Sequence, residues 1–189
     1  MSATAHELAR IHRITVDDYH RMGETGILGP ELRTELIEGE VIEMPPIGPE
    51  HGGAVNYLSN LIARVVRARA VVSVQNPIVL DSHSEPQPDI ALLRPKADFY
   101  RTAHPRPGDI LLVIEVADTT LRYDRDVKLP LYARAGIPEA WLVDLQGRRL
   151  TVYRNPGADA YGEILPVEDL SRVALPAPLD GAVDLSALF

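Results

Sequence analysis

Eight consecutive residues, Ile110 to Ala117 within "DILLVIEVAD", constrain this chain more than any other stretch. The run is apolar and rich in β-branched side chains except at Glu115. Such a run fits a strand covered on both faces, as found inside a layered α/β domain. Period two predicts Leu111, Val113, Glu115 and Ala117 on one face, with the carboxylate near the C-terminal end of the strand, where α/β sheets usually place their sites. An unpaired charge buried there is costly, so the fold must bring Glu115 a cation, a hydrogen-bonded base or a metal.

The flanking segments predict the frame around that strand. Thr15 to Met22 reads as a short helix, and "ELIEGEVIEM" as two strands joined by a tight turn at Glu38-Gly39. Val55, Leu58, Leu61, Ile62, Val65 and Val66 recur at helical spacing, which predicts an amphipathic helix from Pro49 to about Arg69. Three strand-like segments follow, "AVVSVQNPIVL", "DIALLRP" and "DILLVIEVAD". A helix from about Tyr123 to Arg134 should end at Ala135-Gly136, with Pro130 either in its first turn or kinking it. The core strand "EAWLVDL" comes next, and a helix between two buried strands predicts a crossover with those strands parallel. "GRRLTVYRN" reads as an edge strand after a turn at Gln146-Gly147, while the tail ending "DLSALF" has no clear pattern.

Length and composition bound the rest. At 189 residues, 46% hydrophobic and 24% charged, the chain is expected to form a single globular domain over 1–189. The absence of cysteine excludes disulfides and Cys-ligated metal centres and fits a reducing compartment. Met1 to Arg13 lacks the apolar core of a signal peptide, and the apolar runs are too short to span a bilayer. A cytoplasmic protein without membrane contact is therefore expected. The net charge of −8 argues against a generic polyanion binder, although Arg64, Arg67 and Arg69, Arg122 and Arg125, and Arg148 and Arg149 form local basic clusters. A carboxylate cluster holding a divalent metal would also lose much of its negative charge.

Two further features converge on Glu115. Asp89 follows Pro88 in "EPQPDIALL" and opens an apolar strand, so it can stand beside Glu115 on a neighbouring strand. Two such carboxylates suit Mg²⁺, which takes oxygen ligands and keeps several waters. Lys128 lies one helical turn after Asp124, and a lysine near a metal-bound water can orient it, deprotonate it if its own pKa is lowered, or stabilise charge on a phosphate.

Each residue also has a plainer reading. Glu115 can be half of a structural ion pair with Lys128 or an arginine, and Asp89 a strand-entry aspartate after proline. Asp124 reads better as a helix cap or the partner of Lys128 than as a catalytic group. Tyr132 and Trp141 read as core aromatics, with the Tyr132 hydroxyl available to the site. Gln75 and Gln87 are either strand polar groups or substrate-orienting ones. The six histidines show no spacing that would build a zinc site on one helix.

The chain resembles the family of domains described as putative restriction endonucleases, within the PD-(D/E)XK nuclease superfamily. The resemblance rests on "TELIEGEVIEMPP" followed by His51, on "QNPIVL" and "EPQPDIALL", and above all on "LLVIEVADTTLRYDRDVKLPLYARAGIPEAWLVDL". It covers roughly residues 15 to 155. It implies an α/β fold with a restriction-endonuclease-like mixed β-sheet flanked by helices, a divalent metal (Mg²⁺ or Mn²⁺), and hydrolysis of DNA phosphodiester bonds. By position, Asp89 resembles the motif aspartate, Glu115 the motif glutamate and Lys128 the lysine. In the standard motif the lysine lies two residues after the acid, where this chain has Ala117, so Lys128 would reach the same point from the following helix. Glu35 is similar to the N-terminal acidic ligand of related nucleases, and His51 to the histidine of the family.

The expected protein is thus a metal-dependent DNA endonuclease in which Asp89 and Glu115, with a backbone carbonyl beside Glu115, hold the ion and Lys128 assists the attacking water. Asp124, Glu35, His51 and Tyr132 would support them. A non-catalytic nucleic-acid-binding or assembly module with the same fold is the alternative, and a hydrolase of another phosphorylated substrate a third reading. The resemblance and the acidic chain's need for a larger DNA-facing surface also imply a homodimer.

Overall fold

The computed structural model describes residues 11–189. Its first element, α1 (Val16–Glu24), starts at Thr15, whose side chain accepts from the Asp18 N–H while Asp18 caps the Thr15 N–H in return. This reciprocal box satisfies two amides that the first helical turn leaves free. The hairpin β1 (Thr34–Ile37) and β2 (Glu40–Glu43) follows as predicted. Glu38 and Gly39 adopt φ of 50° and 78°, the left-handed pair that a two-residue hairpin loop requires.

Helix α2 (Pro49–Val66) buries Ala54, Val55, Leu58, Ile62 and Val66 along one face. Each large apolar side chain so buried contributes about 1.5–3 kcal/mol. The helix stops three residues earlier than its periodicity suggests: Arg67 turns to φ 49° and Arg67–Arg69 forms a 3-10 turn.

The main sheet has six strands in the order β3 (Val71–Val74), β4 (Ile90–Leu93), β5 (Ile110–Ala117), β6 (Glu139–Asp144), β7 (Arg149–Pro156) and β8 (Tyr161–Pro166). It is mixed, because β5 and β6 run parallel and every other neighbouring pair is antiparallel. The parallel pair is joined by the helical segment 121–134, here α3, which is the crossover the sequence predicts. Its end is a Schellman closure: Gly136, at φ 78°, donates to Ala133 O, and Ile137 donates to Tyr132 O.

Three expectations are corrected. "AVVSVQNPIVL" is a strand only to Val74, because Gln75 turns to φ 51° and Pro77 has no N–H to give a ladder. Ile78, Val79 and Leu80 instead donate to Pro86, Pro105 and Ser84 carbonyls. Strand β7 is not the edge, since β8 pairs beyond it. The alternation in β5 also slips: Leu92 faces Leu112 and Leu93 faces Ile110, so Leu111 is the extra residue of a bulge and joins the core on the opposite face from Val113 and Ala117.

The sheet is covered on both faces. Leu112, Ile114, Val116, Trp141 and Val143 pack with α2 and with the tail, whose short hairpin β9 (Val173–Ala174) and β10 (Ala182–Val183) supplies Val173 and Val183. Val113, Ala117, Ala140 and Leu142 pack with Leu129, Tyr132 and Ala133 of α3. Glu115 belongs to this second face, under α3. Among the described residues no helix is long and apolar enough to cross a membrane.

Candidate active site

The antiparallel register pairs Ile90 with Ile114, so one step further Asp89 stands opposite Glu115. Directly opposed residues project to the same face, and both line one cavity of about 270 Å³. Its wall also carries Glu35 from β1, His51 from α2, Gln75 and Gln87 from the segments around β3 and β4, and Tyr123, Asp124 and Lys128 from α3.

Asp89 is fixed from three directions. Its Oδ2 accepts the Val116 N–H at 2.8 Å, its Oδ1 accepts from Gln75 Nε2 at 3.2 Å, and His51 Nε2 lies 3.1 Å from the carboxylate. Burial would raise this carboxyl, but the His51 hydrogen bond and charge and the Val116 amide outweigh it and hold it below the ordinary aspartate value. The same hydrogen bond raises the His51 imidazole against the opposing effect of its own partial burial. His51 Nδ1 is buried without a hydrogen-bond partner among the described residues. His51 occupies this place because Pro49 starts α2 two residues earlier, at the end of the sheet where Asp89 lies.

Glu115 finds its cation in Lys128. Nζ lies 2.8 Å from Glu115 Oε1, and the two side chains are only 5% and 3% exposed. The Tyr132 hydroxyl donates to the same oxygen at 2.5 Å. Burial raises the Glu115 carboxyl even though Lys128 pulls it down. For Lys128 burial acts the other way and favours loss of its proton, but the charges of Glu115, Glu35 and Asp124 prevail and hold the amine above the ordinary lysine value. The lowered pKa under which Lys128 would take a proton from water is thus not what these neighbours produce: they favour its ammonium form.

Lys128 reaches Glu115 through a local widening of α3. Asp124–Lys128 is a π-helical turn between Leu121–Tyr123 and Leu129–Arg134, closed by the Leu129 N–H donating to Asp124 O. Pro130 explains the widening, since its ring lacks an N–H and would collide with a carbonyl four residues back in a regular helix. The proline sits in the first turn of the last piece, one of the two placements its position allows. The π turn leaves both Asp124 and Lys128 buried on the cavity side.

Glu35 belongs to this cluster more firmly than its sequence suggests. It is 1% exposed, with Oε2 accepting the Gln87 N–H at 3.0 Å and lying 3.6 Å from Lys128 Nζ, and Oε1 accepting from the Tyr123 hydroxyl at 3.0 Å. Lys128 also donates to the Gln87 carbonyl at 3.2 Å. The Tyr123 contact, invisible in sequence, arises because the fold brings Glu35 of β1 to the start of α3. Asp124 is neither a cap nor within ion-pair distance of Lys128, as its helical spacing had suggested: its Oδ2 accepts from Thr120 Oγ1 at 2.6 Å, and burial raises its carboxyl despite the pull of Lys128.

Carboxylates on facing strands, with Glu115 Oε2 engaged by no hydrogen bond among the described residues, form an oxygen donor set of the type that hard divalent cations take. The basic clusters are mostly tied up locally: Arg122 and Arg125 reach Asp126, Arg149 reaches Asp144, and Arg148 donates to the Phe189 carbonyl. Trp141 is a core residue, as expected. His20 and His104 are exposed, and although far apart in the chain and on different elements they converge with Glu85.

Comparison with known proteins agrees with this architecture. A family model described as "Uma2: Putative restriction endonuclease" matches residues 16–187. Among solved structures, the chain is similar to a crystal structure titled as a putative nuclease belonging to DUF820 from Anabaena variabilis ATCC 29413. That likeness has a TM-score of 0.70 at 21% identity and covers 93% of this chain and 97% of the other, which establishes a shared fold. No curated protein matches the chain significantly.

Proposed function

Because this chain belongs to the Uma2 family ("Putative restriction endonuclease"), matched over residues 16–187, we propose that it is a metal-dependent DNA endonuclease built as one nuclease-like domain. The observation that carries this reading is the placement of Asp89 and Glu115 on facing strands of one cavity, with the Lys128 ammonium 2.8 Å from Glu115.

Asp89, Glu115 and a backbone carbonyl beside Glu115 are the groups that would hold Mg²⁺ or Mn²⁺. Such an ion supplies Lewis acidity at the phosphate and a lowered pKa for bound water. The residues of the chain supply the rest. Lys128, fixed as a cation, attracts the scissile phosphate and orients a water through its N–H donors; it is not the base. Tyr132 and Tyr123 fix the rotamers of Glu115 and Glu35, and His51 and Gln75 fix Asp89. Arg33 in the cavity wall provides a further cation for the DNA backbone. A homodimer would widen the DNA-facing surface of an acidic chain, and a cytoplasmic location fits its lack of cysteine.

Purified protein should nick supercoiled plasmid with Mg²⁺ or Mn²⁺ and stop on addition of EDTA. Asp89→Asn and Glu115→Gln should each lower the rate by more than about a hundredfold with their circular dichroism unchanged. Unaltered cleavage in both variants would reject the reading.

The ion-paired state of Glu115 favours one second reading, a nucleic-acid-binding module in which Lys128 permanently neutralises the carboxylates. Calorimetric titration separates the two. Mn²⁺ binding that Glu115→Gln abolishes supports the hydrolase, whereas DNA binding with no Mn²⁺ binding supports the module.

A further inference from the structure

His20, Glu85 and His104 lie outside the cavity that holds Asp89 and Glu115, and their ligand atoms all fall within 4.8 Å of one another. His20 Nε2 is 2.8 Å from Glu85 Oε2, and the His20 and His104 rings meet edge to face with centroids 6.0 Å apart. The carboxylate is the buried member: Glu85 is 4% exposed, His20 42%. Its backbone is fixed by a two-way bridge to Leu36, in which the Glu85 N–H donates to the Leu36 carbonyl at 2.7 Å and the Glu85 carbonyl accepts from the Leu36 N–H at 3.3 Å. Among the described residues Glu85 Oε1 accepts no hydrogen bond, so this largely buried carboxyl group is served by one imidazole of a half-exposed helix residue. Burial of that kind calls for a stronger counter-charge.

We propose that His20, Glu85 and His104 form a binding site for a borderline transition-metal ion of the Zn²⁺ type, separate from the carboxylate site. Two imidazoles and one carboxylate are the ligand set that Zn²⁺ takes with one position open to water, and imidazole donors select against Mg²⁺. Donors about 2.0–2.1 Å from a tetrahedral ion lie about 3.4 Å apart. The His20–Glu85 pair, now 2.8 Å apart, would open slightly to admit the ion, and the other separations, all within 4.8 Å, would close by at most little more than an ångström. The geometry permits this without moving the core. His20 lies on the outer face of α1, and His104 is exposed on the loop that Pro105 anchors by accepting the Val79 N–H at 2.9 Å. A cavity beside the cluster, lined by His20, His104, Asp81, Ser82 and Tyr100, leaves room for water or a small ligand at the open position. An ion there would tie α1, the turn before β4 and the loop before β5 together.

Co²⁺ as a spectroscopic probe, and Zn²⁺ as the diamagnetic one, test this on the intact chain. Co²⁺ should give the visible absorption of a low-coordinate imidazole site with one equivalent retained in an Asp89→Asn, Glu115→Gln double variant. His20→Ala and His104→Ala should each weaken that binding by at least about tenfold. These two side chains are exposed, so their removal leaves the core intact. In the wild type, Zn²⁺ should shift the ring resonances of His20 and His104 with a common saturation curve and raise Tm, and the Tm rise should vanish in His104→Ala. Binding unchanged in both alanine variants, or Zn²⁺ leaving both rings unmoved, would overturn the site and leave a plain His20–Glu85 hydrogen bond.

Discussion

The amine of Lys128 lies 2.8 Å from Oε1 of Glu115, with both side chains almost sealed from solvent. The position two residues after Glu115 holds Ala117, which is fully buried, and the lysine beside Glu115 arrives instead from the widened turn of α3. Deleting one partner of a buried pair strands the other charge, so Lys128→Met should cost about 3–5 kcal/mol in urea unfolding. The Lys128→Met, Glu115→Gln double variant should recover part of that loss. Strict additivity of the two single changes would show that the pair does not couple.

His51 and Asp89 set a pH dependence of their own. The His51 value is raised, so its share of the stability is full below the ordinary histidine range and is lost as pH rises through the folded midpoint. Asp89 is lowered, so its share is present above the ordinary aspartate value and is lost as pH falls through the folded one. The stability gap between wild type and Asp89→Asn should therefore be widest between those two ranges. In an NMR titration Asp89→Asn should bring the His51 midpoint down, because burial then acts without its opposing partner; an unmoved midpoint would disprove the contact.

The two tyrosines should act as positioning residues. Tyr132→Phe leaves Glu115 without its 2.5 Å donor, and Tyr123→Phe does the same to Glu35 at 3.0 Å. Each should cost about 1–3 kcal/mol in chemical denaturation. Tyr132→Phe should also slow plasmid nicking by about tenfold while leaving DNA affinity, measured by anisotropy, unchanged.

Glycine positions offer a control unrelated to the site. Gly39 has φ 78° and an added Cβ would meet Arg13 Cβ at 2.6 Å, whereas Gly136 has the same φ with nothing within 4 Å. Gly136→Ala should cost about 1–2 kcal/mol for the left-handed backbone alone. Gly39→Ala should cost more, because Arg13 must also move; a smaller loss at Gly39 would refute the contact.

The sequence by itself determined the frame and the principal acids. The β5 run, the Glu38-Gly39 turn, the face of α2, the crossover to β6 and the stop at Gly136 are local patterns of period, turn chemistry and capping, which a chain carries wherever its other segments lie. Asp89 and Glu115 were legible because one immediately precedes a strand and the other sits near the end of one, and a one-step extension of the register brings them face to face. What only the tertiary structure decided depends on contacts between distant segments. Glu35 and Tyr123 are 88 positions apart, and His20 and Glu85 are 65 apart. The protonation of Lys128 was equally out of reach, because its sign is set by three carboxylates delivered by β1, β5 and α3 against the cost of burial. Periodicity says which way a side chain points, but the field it feels is the sum over whatever the fold packs around it.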